Sequence, residues 1–304
     1  MKEVSTAFLL AMLVAWFTII GDQHGITMRI ENGLFDLVEE QISIDSKSDW
    51  NYSRHQDRME DLLLINLDTS FINTETDRVK KSSLITLIKK LTPKMKGRVM
   101  YLDYLIDHAI RSDESFMKSL LAIKDHLVLP FAMRNNSTRL DQALVPKSED
   151  LINKECKGLI FSGHINFEGL YHKDHIRYIR HKVQGGTILS SPLAIVKRLS
   201  GTDFSLIHQD IPEGPLEINY LLRNRESIGQ EKAVMVYEAF EILALPGQDL
   251  AELLNGKKVI FIGKFRPEYD KYEQFYDCYL TPIDPELPGT YLIVNSFLNL
   301  RKKP

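Results

Sequence analysis

The chain's nine histidines are densest between His164 and His181, where His172-Lys173-Asp174-His175 puts two imidazoles three residues apart beside a carboxylate. Imidazole and carboxylate are ligands for zinc and its neighbours, so the spacing could serve a metal. On an extended segment, however, residues three apart point to opposite faces, and Tyr171 to Lys182 is crowded with Lys and Arg. The expectation is a solvated hairpin edge, with no metal ion and no cofactor assigned. A second set of candidates sits where apolar runs end: Asp68 after the first run, Asp103 after the second with Asp107 and His108 close behind, and Lys264 and Arg266 after the last. Carboxyl ends of parallel strands are where such sheets collect ligands. Acids placed there either bind a metal or serve as acid and base, or each caps the following turn through a side-chain oxygen. The sequence names no nucleophile for them to serve, so a structural role is expected, with Lys264 and Arg266 as ion-pair partners.

No phosphate loop, dinucleotide fingerprint, nucleophile elbow, H-e-x-x-H pair, C-x-x-C pair or EF-hand loop occurs in the 304 residues. Active sites also assemble from scattered residues, so this weighs only lightly against an enzyme. The 38 Lys and Arg against 41 Asp and Glu give a formal charge of -3 with no long basic run, which argues against a nucleic-acid partner. Two cysteines, Cys156 and Cys278, are too few for a disulfide scaffold or a four-cysteine zinc site. Hydrophobic residues at 44% and charged residues at 26% are ordinary for a globular body.

The N-terminus is not ordinary. From Val4 to Gly21 there is no charge, and Asp22 follows. Roughly 17 apolar residues at about 1.5 Å each reach about 25 Å, enough for a short membrane anchor or a signal-peptide core. The run leaves through Trp16-Phe17-Thr18-Ile19-Ile20, lacking the small residues a cleavage site wants, so an uncleaved anchor over 1–22 is expected. Lys2 votes weakly for a cytoplasmic start. The expectation is a single-pass protein held in lipid by this helix, with residues 23–304 periplasmic or extracellular, where Cys156 and Cys278 are permitted to pair.

What must position the candidates is an alternation of strands and helices. Leu62 to Leu67 is a buried strand by its continuous apolar run. Ser82 or Ser83 caps a helix with Leu84, Leu87, Ile88 and Leu91 on one face, stopped by Pro93. A second strand over Val99 to Asp103, a helix capped by Ser112 or Asp113 with Phe116, Leu120 and Ile123 inward, and a third strand over His126 to Phe131 follow. Two crossovers of this kind imply a parallel sheet. Gly158 to Phe167 is a fourth strand candidate; Ile176 to Arg180 and Thr187 to Leu189 read as a hairpin around Gly185-Gly186. Pro192 opens a helix; Ile218 to Leu221 is a strand, Val234 to Leu243 a helix, Asp249 to Leu254 a short helix, Lys258 to Gly263 a last buried strand, and a helix starts near Tyr291. The fold class is therefore α/β: a mixed, mainly parallel sheet flanked by helices, with an antiparallel hairpin portion and one N-terminal membrane helix.

This order of elements resembles the second type of CHASE domain, an extracellular sensory module of bacterial receptor-like kinases and cyclases. The likeness covers about residues 30–300 and rests on Leu64-Ile65-Asn66-Leu67-Asp68, on Gly97-Arg98-Val99-Met100-Tyr101-Leu102-Asp103, and on Val259-Ile260-Phe261-Ile262-Gly263. After these come a loop carrying Asp277, then Thr281-Pro282, Pro288-Gly289 and Asn295. Asp277 thereby joins the candidate set. Asn73 to Arg78 departs from the tryptophan- and proline-rich stretch common in that family. The resemblance implies an extracytoplasmic sensory domain with an unspecified small ligand. With the given sequence stopping at Pro304 and no transmitter domain in it, output is expected to pass through a signalling partner or a homodimer. Two rivals stand beside it: an extracytoplasmic hydrolase using Asp68, Asp103 and a histidine, and a purely structural interaction module.

Overall fold

The computed structural model describes residues 59–67, 71–73, 78–104, 114–131, 133–135, 144–146, 161–165, 167–168, 176, 178–183, 188–200, 211, 214–218, 220, 222, 235–266, 278–279, 281 and 287–300. Among these no helix is long and apolar enough to cross a membrane; the apolar segment 4–21 lies outside the described residues, as do Asp68, Asp107, Cys156, His172, His175 and Asp277.

Six strands form the central sheet. In chain order they are β1 (Leu62–Asn66), β4 (Val99–Leu102), β5 (Leu127–Phe131), β8 (Phe161–His164), β14 (Val236–Glu238) and β15 (Val259–Gly263). Their spatial order is β14-β1-β15-β4-β5-β8, and every pairing is parallel. Parallel strands need crossovers that put helices on the sheet faces, so the inner strands β1, β15, β4 and β5 are buried on both faces and read as near-continuous apolar runs. Alternate residues divide between two cores. Leu62, Leu64, Val99, Tyr101, Val259 and Phe261 point to one, under helices α3 (Ser191–Ser200) and α6 (Gly289–Leu300). Leu63, Ile65, Met100, Leu102, Ile260 and Ile262 point to the other. That second face carries α1 (Lys81–Leu91), α2 (Glu114–Ala122), α4 (Ala239–Ala244) and α5 (Gly247–Leu253).

Helix α1 buries the expected Leu84, Leu87, Ile88 and Leu91, but Lys80 stands at its N-cap and no side chain caps it. The start is set instead by the short antiparallel pair β2 (Ile72–Asn73) and β3 (Arg78–Val79), from which the chain enters the helix with the Lys80 amide donating to Phe71 O at 2.6 Å. At the far end, Lys90 Nζ donates to the carbonyls of Leu243 and Leu245, at 2.5 and 2.6 Å. A cation among carbonyls left open at a helix end is stabilised by their partial negative charge. Gly97 and Gly256, at φ +74° and +73°, turn the chain from a helical segment into β4 and β15, a conformation that favours glycine.

Three expectations change. Val234 to Leu243 is not one helix: Val236–Glu238 pairs with β1 as an edge strand of the sheet, and α4 begins after it. The hairpin uses different strands. Lys182–Val183 (β11) pairs with Ile188–Leu189 (β12), while Tyr178–Arg180 (β10) joins Phe167–Glu168 (β9) and Pro215–Glu217 (β13) in a three-stranded antiparallel sheet. That pairing moves the strand expected at Ile218 back to Pro215. Short β6 (Met133–Asn135) with β7 (Leu144–Pro146), and β16 (Cys278–Tyr279) with β17 (Leu287–Pro288), complete the described strands.

Candidate functional site

The last long strand in sequence, β15, lies in space between the first two. Its exit leads towards α6 on one face, whereas the strands on either side of it lead to α1 and α2 on the other. Neighbouring strands whose connections leave in opposite directions open a crevice at their carboxyl ends, and this is where a ligand would enter. The candidates Asp103 and Lys264 both belong to that mouth, and Asp68 follows β1 there in sequence.

Side chains of the protein itself occupy the described part of the crevice. Thr290, in the first turn of α6, donates from Oγ1 to Asp103 Oδ2 at 2.6 Å, and the Tyr101 hydroxyl donates to Oδ1 at 3.0 Å. Gly263 lies directly beneath: a Cβ there would stand 2.4 Å from Thr290 Oγ1 and 2.8 Å from Asp103 Cβ. Glycine is required because the helix start rests on the strand end. Burial raises the Asp103 carboxyl above its ordinary value, against the lowering effect of the bonds from Thr290 and Tyr101. A group with a raised folded-state value contributes stability at low pH that is lost as pH rises through that value. Asp103→Asn, which removes an ionisable group from a half-buried site and keeps an oxygen for Tyr101, is therefore expected to leave stability at pH 7 unchanged or slightly higher. Urea denaturation at pH 7 checks this; a loss above about 2 kcal/mol, the size of a broken charge-assisted bond, contradicts it.

Beside it runs a second tie across β14, β1 and β15. Asn66 Oδ1 accepts from the Phe265 amide at 2.8 Å, and its Nδ2 donates to Glu238 Oε2 at 2.8 Å. Glu238 also forms a reciprocal cap with Glu241 at the start of α4, and its Oε1 meets Arg266 at 2.8 Å. At the end of β15, Arg266 pairs with Glu238, an acid outside the candidate set, and Lys264 is half-buried beside it. Asn66 and Glu238 were detectable in principle. A lone amide inside a run buried on both faces must find a partner, and Glu238-x-x-Glu241 has capping-box spacing.

The other polar cluster is buried at the end of β8. His164 and His181 are 0% and 2% exposed, so the expectation that the tract ending at Lys182 is a solvated edge fails at His181. Its neighbours Arg180 and Lys182 are half-buried while His181, at the bend between two short strands, turns inward as Ile179 does. His181 Nδ1 meets Ser190 Oγ at 2.7 Å, and Ser190 caps α3 by accepting from the Leu193 amide at 3.3 Å. Both contacts are satisfied when the Ser190 hydroxyl donates to a His181 ring protonated on Nε2. The geometry looks like a serine–histidine pair, yet Ser190 is wholly buried and serves as a cap. Burial pushes His164 down to about 4, with a hydrogen bond to the Arg180 backbone opposing; burial and then repulsion from His164 push His181 down to about 3.

These imidazoles stay neutral when folded but take up protons when unfolded, at about 6.5. The unfolded chain therefore binds more protons below about pH 6.5, and stability falls as pH falls through that window. Each ring is expected to cost about 2 kcal/mol at about pH 5 relative to neutrality. Urea titrations across pH 7.5 to 4.5 check the sign; stability that rises on acidification contradicts it.

Two strand positions separate β4 from β8, or about 10 Å at the usual spacing. Asp103 and His164 are thus not in hydrogen-bond reach of each other, and the described residues hold no group of three or more His, Cys, Asp or Glu that could hold a metal. No family model, curated protein or solved structure matches the chain.

Proposed function

We propose that this is a membrane-anchored, extracytoplasmic sensory or interaction domain that works by contact with a signalling partner or a second copy of itself, rather than by chemistry at its strand ends. One observation carries the choice between contact and catalysis. At the switch point, where an open parallel sheet would receive a substrate, Thr290 closes over Gly263 onto Asp103, and Asn66 and Arg266 engage Glu238. A general acid or base has to reach a substrate proton, and both carboxylates are instead engaged by their own neighbours. The apolar segment 4–21 and the resemblance to the second type of CHASE domain support the placement outside the cytoplasm.

The side chains packed into the described part of the mouth favour recognition through an outer surface over capture of a small molecule between β1, β15 and β4. Treating intact cells with a membrane-impermeant lysine cross-linker tests this. The expected product is the 35.0 kDa chain joined to a second copy or to one defined partner. A chain that reacts from outside but remains a solitary monomer in its membrane would contradict the contact mechanism.

A further inference from the structure

The two buried histidines sit on a seam. His164 ends β8, the outermost strand on its side of the central sheet. His181 sits between β10, of the three-stranded sheet, and β11, of the hairpin. Ser190 opens α3, which packs on the central sheet. Among the described residues, the ties across the seam include the His164 hydrogen bond to the Arg180 backbone. The Ser190 amide donates to His181 O at 3.0 Å, Ser191 Oγ donates to Gly163 O at 2.8 Å, Ser190 bridges His164 in parallel, and the Phe131 ring lies edge-on to the His164 ring at 6.3 Å.

We propose that this seam is an acid-operated latch, and that protons are a ligand the domain senses: protonation of His164 and His181 frees the β9–β10–β13 sheet and the β11–β12 hairpin from the end of the central sheet. The chemistry of the contacts drives it. A doubly protonated His181 must carry hydrogen on Nδ1, so it can no longer accept from Ser190; the bond reverses, and the hydroxyl proton loses its acceptor at a site closed to water. Two imidazolium rings on the same seam repel one another as well.

Among the described side chains, the titratable groups beside the pair are Arg180 and Lys182 next to His181, and Lys197 and Arg198 in the last turn of α3, all of them cations. Arg198 is turned away, donating to Lys124 O and lying over the Phe161 ring. Glu168 on β9 and Glu217 on β13 stand in backbone register with Tyr178, one residue out of step with Ile179. Phe131, the β5 residue in contact with His164, is not titratable.

A closed seam that excludes protons and an open one that binds two form a two-state element whose balance acid shifts. With both rings released to ordinary values, the opening constant rises by about 100-fold per pH unit well below 6.5, and on the order of a thousandfold between pH 6.5 and 4.5. Use of the latch as a signal rests on the body lying outside the cytoplasm. The latch itself is testable on purified protein, so the two can fail separately.

Hydrogen–deuterium exchange on the full chain in detergent micelles, corrected for the intrinsic pH dependence of exchange, tests the proposal. Protection of amides 161–165, 178–183 and 188–194 is expected to fall with a slope near two log units per pH unit on acidification below pH 6, while β15 and α6 hold. His164→Asn and His181→Asn, whose amides can replace the neutral ring contacts, are each expected to lower the slope to near one. A seam whose protection does not depend on pH, that opens only together with β15 and α6, or that keeps a slope of two in either variant overturns the latch. If a variant does not fold, the wild-type slope decides.

Discussion

An Asn295→Leu variant is expected to lose about 4 kcal/mol of stability, close to the limit a single side chain reaches in a domain of this size. Asn295 lies on α6, a helix buried on every side from Gly289 to Leu298. Its Oδ1 accepts from the Leu222 amide at 2.7 Å, and its Nδ2 donates to Leu222 O at 2.9 Å and to Tyr291 O at 3.0 Å. The side chain thus completes both backbone hydrogen bonds of one residue of an irregular segment, as a neighbouring strand would. Leucine has the same branching, so the loss is dominated by its polar part: two buried backbone groups are left without partners at about 1–3 kcal/mol each. Thermal unfolding should fall by about 10 °C. Asn295→Asp keeps an acceptor for the Leu222 amide but cannot donate, so it should also be impaired at pH 7 and recover partly in acid. Asn295→Leu within 1 kcal/mol of the parent would contradict the clamp.

Gly163→Ala is expected to cost about 3 kcal/mol or more, at the upper end of overpacking. A Cβ on Gly163 would lie 2.5 Å from both Cα and N of Ser191 and 2.7 Å from the Ser190 carbonyl carbon, all backbone atoms. No rotamer change relieves that contact. The start of α3 would have to lift from β8, breaking the Ser191 bond to Gly163 O and disturbing Ser190 against His181. Gly263→Ala meets mainly the Thr290 side chain, so Thr290→Ala should recover part of its loss, whereas no side-chain truncation should rescue Gly163→Ala. Urea midpoints for the single and double variants measure both; equal rescue at the two glycines contradicts the distinction.

The central sheet was legible because each of its long strands is buried on both faces and so appears as a continuous apolar run, as at Leu62–Asn66 and Val259–Gly263. Sequence order concealed its arrangement. Nothing local says that β15 inserts between β1 and β4, and that insertion is what makes the mouth. Strand β14 was missed because three residues leading directly into a helix carry too little periodicity to stand apart; its pairing with β1, more than 160 residues away in sequence, defines it. The site was legible in part for the same reason. Asp103 and Arg266 could be placed at strand ends, but Thr290 and Glu238 reach them only through the tertiary arrangement. At His181 composition misled: Lys and Arg on both sides suggested solvent, whereas the bend between β10 and β11 keeps the inward alternation of Ile179 and puts the ring inside.

Whether this body lies beyond the membrane is decided most directly by protease treatment of intact spheroplasts carrying the full chain with a C-terminal tag. The proposed arrangement predicts that the tag and the folded domain are digested from outside, leaving a protected fragment that contains the apolar segment 4–21. A domain that stays intact until the membrane is opened, or is recovered in the cytosol, would contradict it.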